Sequence, residues 1–284
     1  MVLESLINPL RAEREPIDML GLGIIYTAIA IALSLWVFEE YSSLVMVFLT
    51  VIATVPLVVA TLRVEEKKDL IYSSERALLK EHAKALKFFM YLFVGMVICF
   101  SFAYVLLPAD TVTTLFKTQT DTIREINGAN AVAYSVSSFN AFSRIFLNNV
   151  RVLIFCILFS FLYGAGAIFI LAWNASVIGA AIGNFIRMGI DAALVKFGAL
   201  GPHHYFQIVS LGLFRYSIHG LPEILSYFIG ALAGGIISMA AINHDFGSKS
   251  FEKIVFDSSE LVILSVVVLV IAAFLEVYVT PAFF

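Results

Sequence analysis

The feature that most limits what this chain can become is a set of long stretches without a single charged residue: Leu20 to Phe38, Leu44 to Leu62, Phe88 to Leu107, Val152 to Ala172 and Ile224 to Ile242. The hydrocarbon core of a bilayer is about 30 Å thick and takes roughly 20 helical residues to cross. Each stretch has about that length. In lipid no water is present to satisfy backbone N–H and C=O groups, so segments of this kind are expected as helices that satisfy their own. A sixth stretch, Leu261 to Thr280, is interrupted only by Glu276, and Ala175 to Val195 is long enough to be a seventh span.

With 61% of the 284 residues hydrophobic and 14% charged, the chain lies outside the range of soluble domains. A net charge of −3 and two cysteines also exclude a basic nucleic-acid binder and a disulfide-stapled secreted domain. Cys99 and Cys156 lie in apolar stretches, where a thiol acts as a small hydrophobe. Residues 1–19 mix four acidic side chains with Arg11 and Arg14, the composition of an amphipathic cytoplasmic lead-in rather than of a cleaved signal peptide.

Tyr205 to Ile218 has 14 residues, too few for a span, and Gly201-Pro202 precedes it. It is expected as a re-entrant or interfacial helix. The fold class is therefore all-α: a polytopic membrane helix bundle of about seven transmembrane helices plus that re-entrant one.

Orientation follows from the basic residues, which concentrate in cytoplasmic loops. Arg63, Lys67, Lys68, Arg76, Lys80, Lys84 and Lys87 fall within 25 residues, against Lys117, Arg124 and Arg144 in the 43 residues from Pro108 to Val150. This places the N-terminus and the 63–87 connection in the cytoplasm and 108–150 outside, in a multi-pass protein of the cell membrane. The organisation read from this is an N-terminal two-span hairpin with its basic connection, 1–87, and a core membrane domain, 88–284, carrying the outer segment 108–150. The basic connection reads as a solvated helical face. The outer segment, rich in Ser, Thr and Asn, fits either a small structured cap or a solvated connector.

Ionisable groups at membrane depth cost about 2.5 to 3.5 kcal/mol each and are therefore paired or functional. Arg187 and Asp191, four apart, are expected to pair on one helix face. Asn148, Asn149 and Arg151 stand where the fourth span begins, suited to hydrogen bonds with neighbouring segments or to a helix start. In His219-Gly220-Leu221-Pro222-Glu223, Gly suits a helix end and Pro the first turn of the next, so the pattern predicts a break with Glu223 at a helix start. His219 and Glu223 have a spacing that could ligate a metal, but no H-E-x-x-H accompanies them, and no metal or cofactor is expected. Glu276 is expected either buried, neutral or paired with Arg144, Arg151 or Arg215, or snorkelling to the surface. The embedded polar cluster is thus Asn148, Asn149, Arg151, Arg215, His219, Glu223 and Glu276. Gly179 with Gly183, and Gly230 with Gly234, clear flat stripes for close helix packing, internal or between two copies of the chain.

Taken in order, several of these segments resemble the stage II sporulation protein M family. The resemblance is carried by Phe146-Leu147-Asn148-Asn149-Val150-Arg151, Gly164 and Gly166, Asn174 with Gly179, His219 to Glu223 followed by Gly230 to Gly235, and Ala272 to Pro281. It covers roughly 88–281. Two extra spans precede that region, and Asn8 to Pro16 is similar to forms of the family found in archaea, which do not sporulate. Ala175 stands where the family commonly has Gly. In spore formers the family is implicated in forespore engulfment as a scaffold that recruits peptidoglycan-degrading enzymes. The resemblance thus implies a non-enzymatic scaffold with protein partners in the bilayer; the alternative is a channel or permease for a small solute or ion, working around His219 to Glu223.

Overall fold

The computed structural model describes residues 15–72, 74–163, 165–243 and 247–283. Residues 1–14 of the expected lead-in 1–19, Gly164 and His244 lie outside them. Among the described residues every regular element is helical: α1 Pro16–Val37, α2 Ser42–Ile71, α3 Glu75–Leu106, α4 Ala109–Leu115, α5 Lys117–Val136, α6 Ser138–Tyr163, α7 Ala167–Phe197, α8 Pro202–Asn243 and α9 Lys249–Phe274, followed by a π-helical turn, Leu275–Val279. Seven of these, all but α4 and α5, are long and apolar enough to cross a membrane.

Two expected boundaries move. The segment 205–218 is not a separate re-entrant helix: α8 runs unbroken for 42 residues, through Gly220 and Pro222. Pro222 removes only one backbone donor, and a helix packed on both sides by neighbours tolerates that loss. The helix of the fourth span begins at Ser138 rather than Val152, and the next begins at Ala167, so that Asn174 lies inside a helix rather than at a turn. Hydropathy missed the first half of α6 because Asn140, Arg144, Asn148 and Arg151 recur at helical spacing and mark one polar face, which borders a cavity. Residues 138–150 therefore continue the helix of the fourth candidate span.

Glycines set the closest approaches. Gly179 and Gly183 lie against Phe100 and Tyr104 of α3, and a Cβ on either would come within 2.5 Å of the facing Cβ. Gly230 meets Leu153, and Gly234 meets the Ile157 carbonyl, both on α6. Both stripes are occupied by contacts inside one chain. A third close contact, at Gly23 and Gly95, joins α1 to α3 backbone to backbone.

The basic connection 63–87 does carry a solvated face, with Arg63, Lys67, Arg76, Lys80, Lys84 and Lys87 exposed, but its other face is buried. α2 and α3 continue past their apolar stretches, and there Glu65, Asp69 and His82 are buried. His82 Nδ1 lies 2.7 Å from Glu65 Oε2 and its Nε2 3.4 Å from Asp69 Oδ1, while Lys68 Nζ donates to Glu65 Oε1 at 2.6 Å. Burial would push the His82 pKa down, but the two carboxylates outweigh it and hold it at about 9. For Glu65, burial is again outweighed, by His82 and Lys68, and its carboxyl is held below the ordinary range. At Asp69 burial wins and the carboxyl is raised. Lys253 of α9 donates to the carbonyls of Asp69 and Tyr72, closing the end of α2.

At the opposite end, Arg187 does not turn to Asp191, which is exposed. It donates to the carbonyls of Val105 and Leu107, which the end of α3 leaves without helical partners. The segment after α3 is a folded cap. Leu115 and Phe116 are fully buried, and Gln119 of α5 donates from Nε2 to the Ser43 carbonyl at 3.0 Å and to Ser176 Oγ at 3.2 Å. Gln119→Leu should strip both bonds and cost about 1 to 3 kcal/mol. The expected result is a lower melting temperature together with faster protease cleavage within 109–136; cleavage at the wild-type rate would show that the amide does not hold the cap.

Candidate functional site

The first half of α6 turns its polar face toward α7 and α8, and between them lies a cavity of about 750 Å³. From α6 come Asn140, Ser143, Arg144, Asn148, Asn149 and Arg151. Facing them are Asn174 of α7, and Tyr216, His219, Glu223 and Tyr227 of α8. Glu276, in the π-helical turn that ends α9, completes the lining. Such single-turn widenings are frequent at functional sites.

Six of the seven residues expected as an embedded polar cluster are therefore brought together: Asn148, Asn149, Arg151, His219, Glu223 and Glu276. Arg215 is not among the lining residues. It is exposed, with its guanidinium 5.7 Å from the centre of the Phe185 ring. Asn140, Ser143, Asn174, Tyr216 and Tyr227 were not singled out from the sequence as site residues, and Arg144 was named only as a possible partner of Glu276. The signal for Asn140 was available in the helical spacing of Asn140, Arg144, Asn148 and Arg151. Tyr216 and Tyr227 carry no such signal, since an aromatic in an apolar span reads as core.

Exposure varies around the lining. Arg144, Asn148 and Arg151 are exposed, His219, Glu223 and Glu276 are half-buried, and Asn149 is only 6% exposed. Tyr227 donates its hydroxyl to Glu223 Oε1 at 2.8 Å. His219 Nδ1 lies 3.3 Å from Thr280 Oγ1, and Thr280 donates to the Leu275 carbonyl at 3.0 Å. Asn174 donates to the Ile170 carbonyl of its own helix. Asn149 receives a long 3.5 Å contact from Asn148, while its own buried Nδ2 has no hydrogen-bond partner. Below Tyr227 the bundle is packed with apolar side chains, among them Leu153, Ile224, Phe228 and Leu232, all buried. Among the described residues no three His, Cys, Asp or Glu side chains converge as metal ligands would.

The family profile described as stage II sporulation protein M matches residues 45–281. The match begins within α2, earlier than the 88–281 over which the motifs were legible, and takes in every helix that lines the cavity. No curated protein and no solved structure matches the chain.

Proposed function

The chain belongs to the stage II sporulation protein M family, and from that membership we propose that it is a non-enzymatic multi-pass protein of the cell membrane that presents a rigid helical cap to partner proteins. The observation that carries this reading is the docked cap itself. α4 and the start of α5 are fixed to the bundle by Val112, Leu115, Phe116 and Gln119, while Asp121, Arg124 and Glu125 remain exposed on the other face. A segment held this firmly on one side and charged on the other suits recognition better than it suits a tether. The concentration of basic residues in 63–87 supports placing the cap outside the cell and the N-terminus inside. A photo-crosslinking residue at Arg124 should trap one recurrent protein in native membranes, and Gln119→Leu, which loosens the cap, should weaken that adduct. If Arg124 yields no adduct beyond the chain itself, the scaffold reading fails.

A permease is the second reading, favoured by the polar cavity with its two carboxylates carried on candidate membrane-spanning segments. It requires solute flux in proteoliposomes that falls when Glu223 is replaced by Gln. The packed apolar layer beneath Tyr227 weighs against an open channel.

A further inference from the structure

The cavity sorts its hydrogen-bonding groups by sign. On one side are acceptors. Glu223 retains lone pairs beyond the one engaged by Tyr227, and Glu276 adds a second carboxylate. His219 joins them through its neighbours. Thr280 has one hydroxyl proton, which goes to the Leu275 carbonyl, so its oxygen accepts from His219 Nδ1. A neutral imidazole protonated at Nδ1 has its lone pair on Nε2, making that nitrogen an acceptor. On the α6 side are donors: the guanidinium groups of Arg144 and Arg151 and the amide of Asn149. The Asn149 Nδ2 is the telling one, because it is buried, lines the cavity and has no partner there. A buried amide donor without an acceptor costs about 1 to 3 kcal/mol, and an anionic group in the cavity would relieve it.

Charge balance narrows the ligand further. With both carboxylates ionised, they and the two guanidiniums sum to zero, so a ligand carrying one charge of each sign keeps the cavity neutral. A group with three N–H donors suits the three acceptors, and a compact anion suits the arginines and Asn149. The volume of about 750 Å³ lies within the range of small-ligand sites.

We propose that this cavity binds a zwitterion, a primary ammonium group joined by a short linker to a phosphate or carboxylate, with Glu223, Glu276 and His219 taking the ammonium and Arg144, Arg151 and Asn149 the anion. The headgroup of an ethanolamine phospholipid and a free amino-acid-like solute share this chemistry. The inference goes beyond the scaffold reading and does not depend on any protein partner.

The test uses the full chain purified in an uncharged maltoside detergent and titrated calorimetrically with glycerophosphoethanolamine, glycerophosphocholine, ethanolamine and inorganic phosphate. Glycerophosphoethanolamine should bind at least about tenfold more tightly than each of the other three, since the quaternary ammonium has no N–H to donate and the fragments each lack one charge. A ratio below tenfold against any of them overturns the proposal, and this comparison needs no variant to fold. Glu276→Gln should weaken both glycerophosphoethanolamine and ethanolamine, whereas Arg151→Gln should weaken only the former; the same loss for both ligands in both variants, with melting temperatures unchanged, also overturns it. Competition separates the two sources. Displacement by phosphatidylethanolamine in nanodiscs but not by glycine or β-alanine identifies a lipid headgroup, and the reverse identifies a free solute. Neither readout involves the Arg124 adduct, so failure of the ligand and failure of the scaffold are distinguishable.

Discussion

His82→Leu should destabilise the protein by about 3 to 5 kcal/mol, the cost typical of breaking a buried charge network from one side. Removing the imidazole takes a partner from both buried carboxylates, Glu65 and Asp69, while Lys68 still contacts Glu65 and Glu81. These groups lie beyond the apolar stretches 44–62 and 88–107, in the helical extensions of α2 and α3. The network also predicts a pH dependence with a definite sign. The folded His82 pKa of about 9 lies above its ordinary 6.5. A raised pKa means the folded state holds the proton more tightly than the unfolded state does. The resulting stability is fully present below about pH 6.5 and is lost as pH rises toward 9. The melting temperature of the wild type, followed through Trp36 and Trp173 fluorescence, should fall across that window, and the His82→Leu protein should melt low and nearly independently of pH over the same range. A wild-type melting temperature that is flat from pH 6.5 to 9 would sink this account.

The second large effect is expected at the crossing of α1 and α3. A Cβ at Gly95 would collide with the Leu20 carbonyl oxygen, and one at Gly23 with the Leu92 carbonyl oxygen. Both obstacles are backbone, so no rotamer change relieves them and the helices must separate. Gly95→Ala or Gly23→Ala should therefore cost about 1 to 3 kcal/mol or more, as overpacking does, and the separation would also loosen the packing of the buried Met19, Leu92 and Met96. Two residues away on the same helix the sign reverses. Gly21 has nothing within 4 Å of its virtual Cβ, and Gly21→Ala should stabilise by about 0.5 to 1 kcal/mol through helix propensity. Equal melting temperatures for Gly21→Ala and Gly23→Ala would show that the close contact is absent from the folded protein.

Much of the site was legible because its residues are costly where they lie. Asn148, Asn149, Arg151, His219, Glu223 and Glu276 are conspicuous in an apolar chain, and all six line one cavity. Arg215 looks the same in sequence, yet it stands over Phe185 outside that lining. Arg187 and Asp191 have good pairing spacing, but the guanidinium donates instead to the unfilled carbonyls at the end of α3, while Asp191 is exposed. Gly220-Leu221-Pro222 carries the usual signals of a helix end, and in α8 neighbouring helices overrode them.

The sequence by itself determined that the chain is a seven-span helical bundle, because only helices with uncharged stretches of this length satisfy their backbone in lipid. It also marked the polar residues that lipid would reject. Tertiary structure alone decided what those residues do. Whether a half-polar segment such as the start of α6 is a loop or a helix continuing into a span depends on what its polar face meets, here a cavity bordered by α7 and α8. Whether Glu65, Asp69 and His82 are solvated or buried depends on α2 and α3 meeting past the apolar stretches. Both are contacts between segments far apart in the chain, and no local pattern encodes them.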